Sequence, residues 1–152
     1  MRRSNRADRR RREVTRIVGS LRGLPSFFVN GLYNLHRAGL PDSEIVQAYQ
    51  RCRAWTKNAK RNGYGKCECC GTRLPINRVN AQEVSVWNLD HDPHTKTFRG
   101  ILYQRCNREI GDGNRERKLA HVSYIESHKA RLHETEHREV RDEFMQSGAL
   151  PD

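Results

Sequence analysis

Apolar positions recur at helical spacing in two stretches of the first half of the chain. Between residues 24 and 39 these are Phe27, Phe28, Leu32, Tyr33 and Leu35, with Pro25 near the start and Gly39 at the end. The turn Ala38-Gly39-Leu40-Pro41-Asp42 follows, and Asp42 or Ser43 can cap a second helix. Its stripe is Ile45, Val46, Tyr49, Cys52, Trp55 and Ala59, and Asn62-Gly63 supplies the stop signal. Cys52 on that stripe reads as a core thiol. Two helices joined by a short glycine-containing turn resemble a helix-turn-helix, although a plain helical hairpin is the commoner form of such a pair.

The period changes after residue 63. Val84 to Leu89 alternates like a half-buried strand, and Phe98 to Tyr103 reads as its partner, with Asp92 to Thr97 as the hairpin loop. Cys106-Asn107 then opens a short helix that closes at Gly111-Asp112-Gly113. Residues 115–146 read as one or two long helices, with Leu119, Val122, Ile125, Val140 and Phe144 facing the core. Glu126 to Glu139 is almost wholly polar, which suits a stretch that protrudes or pairs with another chain; His128, His133 and His137 there fit a solvated face better than a metal site. The fold class expected is α+β, mostly helical with a small two-stranded antiparallel hairpin. Four segments follow: a basic, mobile arm at 1–23, a basic helical hairpin at 24–63, a cysteine-rich ββα segment at 64–113, and a helical segment at 114–152.

Charge adds a partner to this picture. The chain carries a formal +11, yet residues 1–66 hold 16 basic and 4 acidic side chains, a net +12, leaving −1 for the remainder. Such an asymmetry points to a polyanion, and basic segments gain affinity for DNA by displacing counterions from phosphates. Residues 1–12 hold seven arginines, Arg9, Arg10, Arg11 and Arg12 among them, and self-repulsion is expected to keep this arm mobile until it meets phosphate. Lys57, Lys60 and Arg61 make the second helix basic as well. No run of about eighteen apolar residues exists to span a membrane, and the start lacks the apolar core of a signal peptide, so a cytoplasmic protein is expected.

Five cysteines, Cys52, Cys67, Cys69, Cys70 and Cys106, form an odd set with a tight cluster at 67–70. With no export signal, metal binding fits better than a disulfide framework. A second kind of chemistry sits nearby. Asp90-His91 and Asn107 fall at places that a ββα unit brings together: a strand end entering the hairpin loop, and the start of the following helix. An Asp and an Asn offer hard oxygen ligands to a divalent cation such as Mg²⁺, and the adjacent His is suited to taking a proton from water near neutral pH. That combination suits phosphodiester hydrolysis, where water is activated and charge building on phosphorus is met.

In order along the chain stand Cys67-x-x-Cys70, Leu89-Asp90-His91-Asp92, Phe98-Arg99-Gly100-Ile101-Leu102, Cys106-Asn107-Arg108-Glu109-Ile110-Gly111 and Tyr124-Ile125-Glu126-Ser127-His128. This series resembles the recombination endonuclease VII family of phage-type His-Me finger (HNH-superfamily) nucleases, over about residues 64–128. The resemblance implies a ββα-metal finger and a DNA endonuclease acting in the cytoplasm of a bacterial host. It gives the catalytic Mg²⁺ or Mn²⁺ to Asp90 and Asn107, and makes His91 the general base. Family members cleave branched DNA such as Holliday junctions, and some relatives cut or nick duplex DNA. A resolvase role implies a homodimer; a homing or nicking role would use the hairpin at 24–63 as the sequence reader. The resemblance also implies a structural Zn²⁺ on Cys67, Cys70 and Cys106, but Tyr103 stands where the fourth cysteine belongs. Cys69 or His94 would complete the set, or Tyr103 packs there and zinc is lost. The acidic helper that some members carry one turn beyond the Asn is also displaced: Ile110 holds that position, with Glu109 beside it. Arg99 is expected either to touch the phosphate backbone or to be a plain surface arginine. The alternative from another class is a non-catalytic, zinc-stabilised DNA-binding protein.

Overall fold

The computed structural model describes residues 2–111 and 119–146. Mixed helix and sheet are present, as an α+β class requires, with five helices and two small antiparallel hairpins among the described residues. The chain divides into two compact units, residues 1–115 and 116–152. Among the described residues no helix is long and apolar enough to cross a membrane.

Instead of a mobile arm, the N-terminal segment is a helix, α1, spanning Arg2–Val18. Arginine is a good helix former, and once a few anchors exist the repulsion among its head groups is relieved by solvent and counterions. The anchors are visible. Val14 is wholly buried, Arg9 pairs with Glu13 one turn on, and the Arg10 guanidinium lies 5.3 Å from the ring centre of Tyr33. Tyr33 belongs to α2, Ser26–Arg37, and α3 covers Asp42–Asn62. Neither Asp42 nor Ser43 caps α3. The cap position is Pro41, without a side-chain hydrogen bond, and Asp42 instead places its charge in the first turn, where the helix dipole favours it. The far end closes as the sequence indicates, with Gly63 in the left-handed conformation at φ 82°.

These helices cover a hairpin made of β3, Trp87–Asp92, and β4, Thr97–Tyr103. Helix α2 lies against β3, and α3 against β4. Close approach of α2 depends on Gly31, where a Cβ would come within 2.9 Å of the Leu89 side chain. The core gathers Phe28, Leu32, Leu35, Ile45, Cys52, Ile101 and Leu102, and a T-shaped aromatic chain runs from Phe28 through Trp55 to Trp87. The smaller hairpin pairs β1, Gly65–Lys66, with β2, Arg73–Leu74, and frames the cysteine turn; no periodicity in so short a segment announces it. Helix α4, Gln104–Gly111, follows β4 directly.

The first strand of the main hairpin is offset from its expected position. Val84 is exposed, and Ser85 makes only an isolated bridge to Val79, whereas pairing with β4 carries the strand on to Asp92. Asp90 and His91 therefore lie within β3 rather than at the mouth of the loop. In the second unit, α5 runs Leu119–Gln146 as one helix. Val122 and Val140, expected in the core, are exposed. The side chains of Leu119 and Phe144, and the helix stop at Asp112-Gly113, lie outside the described residues.

Candidate active site

A register irregularity between Asp90 and His91 shapes the centre of the hairpin. Asp90 is opposite Gly100 and His91 opposite Phe98, so Arg99 is the extra residue of a β-bulge. The bulge aims the Arg99 side chain back across the pair. Its Nε donates to Asp90 Oδ2 at 2.8 Å and its Nη2 to Asp90 Oδ1 at 3.2 Å, a bidentate fork with both side chains at 10% exposure or less. Arg99 is thus neither a surface arginine nor a free phosphate contact; its guanidinium is committed to Asp90.

His91 occupies the next position and, by strand alternation, the other face. It is half-buried, and among the described residues neither ring nitrogen is hydrogen-bonded. Burial pushes its pKa below the ordinary histidine value, and the attraction of the Asp90 carboxylate only partly opposes this. The shift favours the neutral ring, the form that accepts a proton. Asp92 shapes the turn after it. Its Oδ1 accepts from the backbone N–H groups of His94 and Thr95 at 2.8 and 3.3 Å. Burial alone would raise the Asp92 pKa; these two bonds, together with the nearby Arg99 and His94, hold the carboxyl below the usual range.

Asn107 lies in α4, one turn in from its start, because Cys106 and Ile110 on the adjoining face are buried. It opens onto a cleft of about 700 Å³ beside β3, shared with Asn88 and Leu89. Asn88 and Asp90 are two residues apart on β3, but Asp90 and His91 are not among the residues that line this cleft. Among the described residues the Asn107 carboxamide has no hydrogen-bond partner. Glu109, the displaced helper, is turned to Arg105 at 3.1 Å.

Three cysteines converge beside this hairpin. The sulfurs of Cys67, Cys70 and Cys106 lie within 4.8 Å of one another, compatible with the roughly 3.8 Å edges of a tetrahedral thiolate site. Cys67 Sγ accepts from the Tyr103 backbone N–H at 3.4 Å, so residue 103 touches the centre through its backbone while its side chain turns to another cleft. The trio can hold a metal ion. Burial pushes up the Cys67 and Cys106 thiols and takes Cys69 to about 12. Cys70 goes the other way: burial opposes ionisation there, but hydrogen bonds led by that from Thr72 draw its pKa down. Cys69 is half-buried and hydrogen-bonded to the Cys106 side chain, whereas His94 sits exposed in the hairpin turn.

Two acidic residues of unsuspected importance hold this region together. Among the described residues the outer edge of β4 has no strand partner, and its N–H groups need acceptors. Glu44 Oε2 takes that of Phe98 at 2.9 Å, and Glu68 Oε1 takes that of Ile101 at 2.7 Å. Glu68 also binds Arg51 of α3 at 3.1 Å, fixing the cysteine turn to helix and hairpin at once. For Glu68 the signal in the sequence was its place inside the cysteine cluster; Glu44 had none.

Of the basic residues expected to meet DNA, Arg9, Arg11, Arg12, Lys57, Lys60 and Arg61 are exposed, on α1 and α3. Arg10 is half-buried, and its Nη1 reaches Asn30 Oδ1 at 3.5 Å. No protein family model, curated protein or solved structure matches the chain.

Proposed function

We propose that this protein is a metal-dependent DNA endonuclease of the His-Me finger kind, with Asp90 and Asn107 as cation ligands and His91 as general base. The observation that carries the reading is the unit itself: a bulged hairpin with Asp90 and His91 adjacent in β3, followed without a linker by a helix that carries Asn107, with a cysteine trio beside it. The donor set fits a hard divalent ion. Asp90 brings a carboxylate that Arg99 grips on both oxygens, and Asn107 brings a carboxamide oxygen, the hard donors such an ion takes. When bound, Mg²⁺ or Mn²⁺ would polarise the scissile phosphate and stabilise its leaving oxygen.

The chain's own residues do the rest. His91 accepts a proton from the attacking water, its low basicity keeping it ready at neutral pH. Arg99 fixes the Asp90 carboxylate in one orientation and cancels its charge. The site therefore attracts a cation weakly until the phosphate of a DNA strand arrives, which couples cation capture to substrate. The arginines of α1 and the basic face of α3 supply affinity for the backbone. The cysteine trio, with Zn²⁺ as the natural occupant of a thiolate site, stiffens the finger.

A second reading, a non-catalytic zinc-stabilised DNA-binding protein, draws support from the engagement of Asp90 by Arg99. One experiment separates the two. Wild type and His91→Ala are incubated with supercoiled plasmid and with a synthetic four-way junction, at matched salt, with Mg²⁺ or Mn²⁺. The endonuclease reading expects cleavage by wild type, loss of at least about a hundredfold in the variant, and unchanged DNA binding in EDTA. Equal cutting by both proteins refutes the role of His91; no cutting on any substrate leaves the binding protein. Preference for the junction would assign resolution, and one recurrent plasmid site would assign homing or nicking.

A further inference from the structure

The cleft next to Asn107 has a composition that phosphate binding does not explain. Its volume, about 700 Å³, is in the range of small-molecule sites. Five carboxamides line it: Asn30 and Asn34, one turn apart on α2, Asn77 from the loop after β2, Asn88 from β3 and Asn107 from α4. Among the described residues, the side chains of Asn34, Asn77, Asn88 and Asn107 have no partner within the protein. The one charged residue among the lining groups is Glu83, which repels phosphate.

Apolar surface is equally unusual here. Val79 and Val84 are two of the few large apolar side chains left exposed, at 47% and 58%, and both open onto this cleft. Phe27 joins them, half-buried and fixed by an edge contact with Phe28 at 4.6 Å between ring centres. A neighbouring cation points to the class of ligand: Arg10, on the arginine-rich α1, reaches the rim through Asn30.

We infer that this cleft takes an unpaired nucleobase of a DNA strand whose phosphates lie on α1. A base is planar and apolar on its faces, which suits Phe27 and the two valines, and carries both donors and acceptors on its edge, which suits carboxamides. A phosphate suits neither. The inference rests on the nucleic-acid part of the function proposed above, not on hydrolysis, and it adds that the substrate offers a base outside the stack beside the cut.

Binding is measured with the full-length protein in EDTA, by fluorescence anisotropy. The probes are a labelled twelve-nucleotide single strand, the same strand with its central residues abasic, and a duplex of equal length. Wild type is expected to prefer the base-bearing strand over the abasic one by about tenfold or more. Phe27→Ala and the double variant Asn34→Asp with Asn77→Ala should reduce that ratio to about two or less. Both asparagines are exposed, so the double variant keeps the fold even if Phe27→Ala does not. Equal binding of the two single strands by wild type overturns the inference. So does an unchanged ratio in the double variant, or displacement of the strand by a neutral sugar in place of free nucleoside. Because no cation is present, base discrimination without plasmid cleavage would sink the endonuclease reading alone, and cleavage without discrimination would sink only this one.

Discussion

Replacing Arg99 by methionine tests the geometry of the centre most directly. The substitution keeps an unbranched apolar stem and removes the fork that holds Asp90. Both partners are at most 10% exposed, so solvent screening offers little relief. Breaking a buried pair from one side costs about 3–5 kcal/mol, because the carboxylate loses its counter-charge without regaining water. At a urea dependence of about 2 kcal/mol per molar, the unfolding midpoint falls by about 1.5–2.5 M. Asp90→Leu alone should fall by a similar amount, since it strands the guanidinium. The double variant Asp90→Leu with Arg99→Met removes both charges and should return to within about 1 kcal/mol of wild type, as apolar replacements of buried pairs commonly do. Urea unfolding followed by tryptophan fluorescence reads all four proteins, with Trp55 and Trp87 in the core as reporters. A loss below about 1 kcal/mol in Arg99→Met would place the pair in solvent. Additive losses in the double variant would mean that the two side chains are not coupled at all.

Three further outcomes follow from the same structure. Titrated by NMR without divalent cation, His91 should show a midpoint below 6.5, the value of a free histidine, and Lys96→Gln should move it up, since the ammonium disfavours the imidazolium. Because the unfolded chain then binds the proton more readily than the folded one, His91 should reduce stability as pH falls below that value and add nothing to the slope at pH 8. Gly65→Ala places a Cβ 2.3 Å from the Trp55 ring and 2.8 Å from the Trp87 ring, so a melting experiment should show a loss of at least about 1–3 kcal/mol; an unchanged melt would refute that packing. Purified protein should carry one thiolate-bound metal per chain, and chelation should leave Cys70 the fastest to react with a thiol reagent, being exposed and drawn toward its thiolate. Faster labelling of buried Cys106 would count against the assigned centre.

Much of this molecule was written locally. Helices α2 and α3 follow from apolar spacing and from Gly63, and the main hairpin from two apolar runs around a turn, because each signal concerns residues a few positions apart. Cys67 and Cys70 likewise form a turn of their own, and the sequence marks Cys106 as a third thiol before the fold brings it to them. Other features depend on where distant segments meet. Arg99 looks like a surface cation until the bulge turns it onto Asp90, and α1 looks like a free arm until Val14 and Arg10 find α2 and its neighbours. Glu44 and Glu68 gain their roles only because an unpaired strand edge lies beside them. The amide cleft is assembled from α2, β3, α4 and one loop, and no window of sequence contains it. Periodicity records which face of an element is dry. It carries no record of which other element dries it, and that pairing decides charge, basicity and access at a site.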